Sequence, residues 1–190
     1  MFDLKTSSDP KWLEAVMNDF SSFMIDHAAC ERKASATALS FTVRYPDRQE
    51  LVESMAQVAQ EELEHFISVM NLIHARGWQL GPDRKDQYVR KMLQLVRGPS
   101  EERLMDRLLV FGVVEGRGCE RFRMVSQAVE DPELKAFYFE LFKSEARHHA
   151  AFLHQVRVLA PEEVWRKRLD ELLIAEAEIL ESLPFEAYLH

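Results

Sequence analysis

The chain has 190 residues, 47% apolar and 29% charged, and a formal net charge of −8. That balance suits one soluble domain with a core that needs no disulfides, and its acidity excludes a protein drawn as a whole to nucleic acid or to an anionic membrane. Two cysteines, Cys30 and Cys119, lie outside any Cys-x-x-Cys and read as reduced, buried thiols; with no apolar signal core and no run long enough to span a bilayer, the expectation is a single cytoplasmic domain over 1–190 without a membrane partner.

Helix punctuation is legible along the chain. Ser8-Asp9-Pro10 opens a helical pattern that runs to about Arg44 with a bend near residue 20, and Tyr45-Pro46 ends it. Asp47 is expected to cap a second long helix that stops at Gly77. Residues 77–100 form a crossover carrying a short helix around 86–97, closed by Gly98-Pro99. Ser100 opens the next long helix, to about Glu130; Asp131-Pro132 starts another, reaching Leu159; Pro161 opens a last helix to about Leu183. The fold class expected is therefore all-α: a ferritin-like four-helix bundle of two antiparallel hairpins, 10–76 and 100–159, joined by a crossover with its short helix and followed by a C-terminal helix.

The apolar stripe of each long helix is interrupted by a glutamate. Helix one presents Phe20, Met24, His27, Glu31, Ala34, Ala38 and Phe41; helix two Met55, Ala59, Glu62, His65 or Phe66, Val69 and Ile73. Helix three presents Leu108, Phe111, Glu115, Cys119 and Phe122; helix four Tyr138, Leu141, Glu145, His148, Phe152 and Val156. Glu62 and Glu145 each have a histidine, His65 and His148, three residues later on the same face. Glu31 and Glu62 are 31 positions apart and Glu115 and Glu145 are 30 apart, so at about 1.5 Å of rise per residue an antiparallel arrangement sets all four near one level.

Four buried carboxylates cannot all be ionised without counterions. Two divalent metals cancel four charges and two imidazoles complete the set, the di-iron or di-manganese pattern known for this architecture; oxygen and nitrogen donors suit iron or manganese. A lone Glu-x-x-His is a weak signal, but two in register, each with a partner glutamate, are not readily produced by chance. The repeat Cys30-Glu31-Arg32 and Cys119-Glu120-Arg121 tempts a match of Glu31 with Glu120. Glu120, however, points about 140° away from Glu115, so Glu115 is the expected ligand and Glu120 a supporting or salt-bridge residue.

The segments DHAACERKAS (26–35), QEELEHF (60–66), VEGRGCERF (114–122) and SEARHHAAFL (144–153) resemble the bacterial tRNA hydroxylases that act on 2-methylthio-N6-isopentenyladenosine, over nearly the whole chain. The chain departs from that pattern at Gly116-Arg117-Gly118, where alanine and serine are expected. Position by position, the resemblance implies iron ligands at Glu31, Glu62, His65, Glu115, Glu145 and His148, with catalysis carried by the four glutamates. It also implies two iron ions, O2 as co-substrate, and hydroxylation of an allylic methyl of the isopentenyl group. The base lies beside the tRNA anticodon, in a single-stranded loop from which it can be splayed into a pocket. Electrons come from a separate reductase or ferredoxin, since the chain has neither a glycine-rich dinucleotide loop nor a cysteine cluster.

Other features have two readings. Gly112, Gly116 and Gly118, three of six glycines, cluster around Glu115, either opening space or allowing close helix packing. Residues 76–99 hold Arg76, Arg84, Lys85, Arg90, Lys91 and Arg97 against Asp83 and Asp86, a phosphate-binding surface or an ordinary solvated face; Arg117, Arg121 and Arg123 either add to it or pair with acids. His27 reads as a core histidine or a support for Glu31, His149 and His154 as exposed, and Tyr138 as packing rather than a radical site. Rival functions are a ferritin-like ferroxidase, a peroxide-handling di-iron or di-manganese protein, and a non-enzymatic helical bundle that binds RNA or protein.

Overall fold

The computed structural model describes residues 4–98 and 101–190. Among them the chain forms seven helices and no strands. In chain order they are α1 (Pro10–Asn18), α2 (Phe20–Arg44), α3 (Gln49–Ala75), α4 (Gln87–Gln94), α5 (Glu101–Ala128), α6 (Pro132–Leu159) and α7 (Glu162–Glu181). The expected bend near residue 20 is a full break. Asp19 accepts hydrogen bonds from the Ser22 amide at 3.1 Å and the Ser21 hydroxyl at 3.0 Å, so a new N-cap interrupts the pattern and starts α2.

The stops follow local chemistry. After α3, Gly77 takes φ +74°; its amide donates to the His74 carbonyl at 3.0 Å and the Trp78 amide to the Ile73 carbonyl at 3.1 Å, the paired bonds of a Schellman turn. Asp131 caps α6, accepting from the Glu133 and Leu134 amides, with Pro132 at the first helical position. The Asp47 cap is corrected: α3 is preceded by Arg48, which makes no side-chain capping bond. Asp86 caps the crossover helix by accepting from the Val89 amide at 2.8 Å, and that helix is shorter than expected. Ser100, the expected cap of α5, lies outside the described residues.

The chain divides into two compact units. One comprises 14–84 and 186–189. Within it α2 packs on α3 around Phe23, Met24, Phe41, Met55, Val69 and Ile73, all fully buried, and the Ser35 hydroxyl donates across the pair to the Ala59 carbonyl at 2.7 Å. The other comprises 1–13, 85–185 and 190. Within it α5 packs on α6, while α7 lies against α4, α5 and α6.

The second unit contains charge that neutralises itself. Arg117, fully buried, grips Glu176 of α7 with Nε at 2.9 Å and Nη2 at 3.0 Å. It also donates to the Thr6 carbonyl at 2.9 Å and pairs with Glu120. Tyr88 of α4 donates to Glu176 at 2.9 Å, and the Arg121 guanidinium lies 4.4 Å from the Trp12 ring centre. Burial and the nearby Arg117 charge pull Arg121 down to about 10. A second knot joins Asp106, buried on α5, to Arg97 at 2.8 Å and Arg168 at 3.0 Å. Arg97, Arg117 and Arg121 are therefore structural, and the phosphate-surface reading loses all three; Glu120 is the salt-bridge residue its off-stripe position implied. Because Glu176 is the counterion of a buried guanidinium, Glu176→Ala is expected to lower the free energy of unfolding by about 3–5 kcal/mol, measured by urea denaturation.

Candidate metal centre

In the first unit, Glu31 of α2 and Glu62 of α3 are buried, 4% and 1% exposed. They flank His65, whose Nδ1 is 3.6 Å from Glu31 Oε2 and 3.5 Å from Glu62 Oε2. The four-residue step from His27 places that imidazole one turn from Glu31, and its Nε2 lies 2.5 Å from Glu31 Oε1. Burial alone would raise the Glu31 pKa; the His27 charge and hydrogen bond, with contacts to His65 and Glu62, overcome it and hold the carboxyl at about 2. His27, with no exposed surface, is thus the support of Glu31 rather than a bystander of the core.

The second unit repeats the pattern. Glu145 and His148 of α6 are 3% and 2% exposed, with His148 Nδ1 3.5 Å from Glu145 Oε2. Glu115 is buried on the adjoining α5. Aromatic pairs bracket this level from both sides. Phe111 and Phe152, one turn from Glu115 and His148, have centroids 6.1 Å apart, and Phe122 and Tyr138 lie 5.7 Å apart toward the other end of the two helices. Tyr138 is therefore packing, as read.

The glycines of α5 have a specific use. His149, expected to be exposed, is 3% exposed; its ring crosses to α5, where Nδ1–H donates to the Gly112 carbonyl at 2.8 Å. A Cβ on Gly116 would meet the ring at 3.4 Å, so close packing explains this glycine, while at Gly118 a Cβ would meet open space. Burial lowers the His149 pKa against that hydrogen bond, which keeps the ring neutral and its Nδ1 a donor. The missed signal was the doublet His148-His149: successive helical residues point about 100° apart, enough for one to join the carboxylate and the other to reach α5.

The donor set fits divalent metal. The two Glu-x-x-His pairs hold imidazole nitrogen and carboxylate oxygen 3.5 Å apart in both units. That is long for a hydrogen bond, and it is a separation that two donors each about 2.1 Å from one cation adopt. Thiolate is not on offer. Burial, then the Glu145 charge, pushes the Cys119 thiol up to about 12, and its Sγ donates to the Phe142 carbonyl at 3.3 Å.

Four similarities to known proteins bear on the chain. The profile of the family described as tRNA-(MS[2]IO[6]A)-hydroxylase (MiaE) matches residues 2–190. The chain is 35% identical over 179 residues to a tRNA 2-(methylsulfanyl)-N(6)-isopentenyladenosine(37) hydroxylase of Pseudomonas putida, covering 94% of this chain and 87% of that one. A protein of the same description from Salmonella typhimurium is 30% identical over 139 residues, and the match spans about half of its length, 51%. A solved structure described as Protein 43 with aldehyde deformylating oxygenase activity, from Synechococcus, superposes with a TM-score of 0.94 at 33% identity, over 100% of this chain and 96% of that one. The fold is all-α and ferritin-like, as the helix pattern implied.

Two outcomes follow from this geometry. His27→Leu is expected to weaken ferrous-ion binding by about 10–100-fold, read by competition with a chromogenic chelator, with the helical circular dichroism unchanged. Iodoacetamide at about pH 8 is expected to alkylate the half-buried Cys30 and to spare Cys119 until the protein is unfolded, read by peptide mass spectrometry.

Proposed function

The chain belongs to the tRNA-(MS[2]IO[6]A)-hydroxylase family, and from that premise we propose that it hydroxylates the isopentenyl group of 2-methylthio-N6-isopentenyladenosine beside the tRNA anticodon, in an O2-dependent reaction at a di-iron centre. In this reading Glu31, Glu62, His65, Glu115, Glu145 and His148 are the ligands of two iron ions. The observation that carries it is the doubled Glu-x-x-His, its two glutamates buried and its 3.5 Å spacing the same in both units, in a chain the family profile matches from residue 2 to 190.

The balance of the reaction is one C–H bond and O2, with two electrons and two protons, giving one C–OH and one water. Bound iron would supply the activation of O2 that closed-shell protein groups cannot. The protein's own work is positional. His27 holds Glu31 ionised and oriented. The His149–Gly112 bond sets α6 against α5, fixing the helix of Glu145 and His148 relative to that of Glu115. The pairs Phe111–Phe152 and Phe122–Tyr138 line the level above and below with apolar surface, which limits water and strengthens local electrostatics. The electron donor in this reading is a separate reductase or ferredoxin, and the location is the cytoplasm, where tRNA is. Among the described residues no helix is long and apolar enough to cross a membrane.

The 33% identity to a protein with aldehyde deformylating oxygenase activity favours one second reading, an oxygenase acting on an aldehyde. Both are tested with iron-loaded, chemically reduced protein in air. Nucleoside mass spectrometry of prenylated, methylthiolated tRNA is expected to show one oxygen added to the modified adenosine, and gas chromatography to show no alkane from an aldehyde. Glu62→Ala is expected to bind less iron and to lower product formation by at least about 100-fold; unmodified tRNA together with alkane formation would replace the hydroxylase reading by the second.

A further inference from the structure

The outer side of α2 bears a hollow of about 320 Å³ within the first unit, lined by Ser22, Ile25, Asp26, Ala29, Gly81, Pro82, Arg84 and Tyr188. The α2 residues are spaced i, i+3, i+4 and i+7, so one helix face forms its floor. Residues 81–84 of the crossover and Tyr188 near the C-terminus form its walls, and they are tied in place. Arg32 pairs with Asp83 at 2.5 Å, Lys33 Nζ donates to the Arg84 carbonyl at 3.1 Å, and the Leu189 amide donates to Asp26 Oδ2 at 2.9 Å. The Arg84 guanidinium lies 4.3 Å from the centre of the Tyr188 ring. The volume is that of a small-molecule site, and the small Ala29 helps keep its floor open.

The lining specifies a ligand class. The Tyr188 ring and the Arg84 guanidinium over it line the hollow, and aromatic and guanidinium planes are both surfaces on which a planar heterocycle stacks. Asp26 commits one carboxylate oxygen, Oδ2, to Leu189 and to the Cys30 thiol, while no described residue donates to Oδ1. A carboxylate oxygen beside a stacking surface accepts from the N–H edge of a base, the ring N–H and exocyclic amine of guanine most fully. Arg84, exposed on the rim, and Lys33 supply the cations a phosphodiester requires.

The position separates this hollow from the reacting base. Asp26 and Glu31 are five residues apart on α2, hence about 140° around the helix and ~7.5 Å along it. Ser22 points about 180° from Glu31. The hollow therefore faces away from the Glu31 carboxylate.

We propose that the hollow between Asp26, Arg84 and Tyr188 is a nucleotide subsite that takes a purine of the tRNA other than the one hydroxylated, its base stacked on Tyr188 with its N–H edge on Asp26 and its phosphate on Arg84. This rests on the tRNA reading above and adds to it a second point of attachment. It also gives an acidic protein a local means of holding RNA, through Arg84 in the lining and Lys33, whose Nζ donates to the Arg84 carbonyl.

The test uses the iron-loaded protein, with fluorescence anisotropy of labelled tRNA as one readout and steady-state hydroxylation as the other. Tyr188→Leu and Arg84→Gln are each expected to raise the tRNA Kd and KM about ten-fold with kcat unchanged. Turnover of the free 2-methylthio-N6-isopentenyladenosine nucleoside, which cannot reach a second subsite, should not change. Arg84 is exposed, so its variant guards against a folding defect in the other. Unchanged tRNA Kd in both variants overturns the proposal, as does an equal loss on the free nucleoside. Guanosine monophosphate bound at Tyr188 by saturation-transfer NMR, with tRNA Kd indifferent to both variants, reassigns the hollow to free nucleotides and likewise overturns it. If wild-type protein binds tRNA through these residues but hydroxylates neither substrate, the subsite stands and the hydroxylase reading falls.

Discussion

Carboxylate held inside a helical core is the constraint around which the rest of this chain is organised. An ionised glutamate in an apolar stripe costs several kcal/mol unless charge of the opposite sign is close, and the long helices spend four stripe positions on glutamates that are all buried. Everything near them is arranged to make that tolerable. An imidazole one turn away steadies Glu31, a histidine follows Glu62 and Glu145 at the same 3.5 Å spacing, and aromatic pairs close the level around Glu115 and Glu145.

The same molecule shows what structural carboxylates look like. Glu176 is clasped by both arms of Arg117 and capped by the Tyr88 hydroxyl, and Asp106 is held between Arg97 and Arg168. Arginine is the group of choice where the aim is permanent neutrality, because it stays charged and meets a carboxylate with two parallel hydrogen bonds. At Glu31, Glu62 and Glu145 the recorded neighbours are imidazoles instead, groups that ligate metal when neutral. The contrast between arginine-locked and imidazole-flanked carboxylates separates scaffold from site without reference to any relative.

Substrate capture is a distinct problem for a chain with a net charge of −8. A uniformly acidic surface repels a polyanion, so attachment must be local. The basic crossover is less available than its composition suggests, because Arg97 is consumed by Asp106. What remains near α2 is the rim of Arg84 and Lys33 beside an aromatic slot, which couples a phosphate-binding charge to a stacking surface.

The sequence by itself determined the helical class, most helix ends, and the six candidate ligands, because these depend on local periodicity and on capping groups a few residues away. The Gly77 stop and the Asp131-Pro132 start are of this kind, and so is the turn that joins Glu62 to His65. It could not say that Asp19 breaks the first helix, which turns on one cap competing with continuous helix. Nor could it say that His149 is buried against Gly112, that Arg117 points inward, or that Tyr188 and Gly81 line one hollow over α2. Those outcomes set residues such as Arg117 and Glu176, 59 positions apart, side by side, and only packing in three dimensions decides which distant groups share a dry interior and must satisfy one another there.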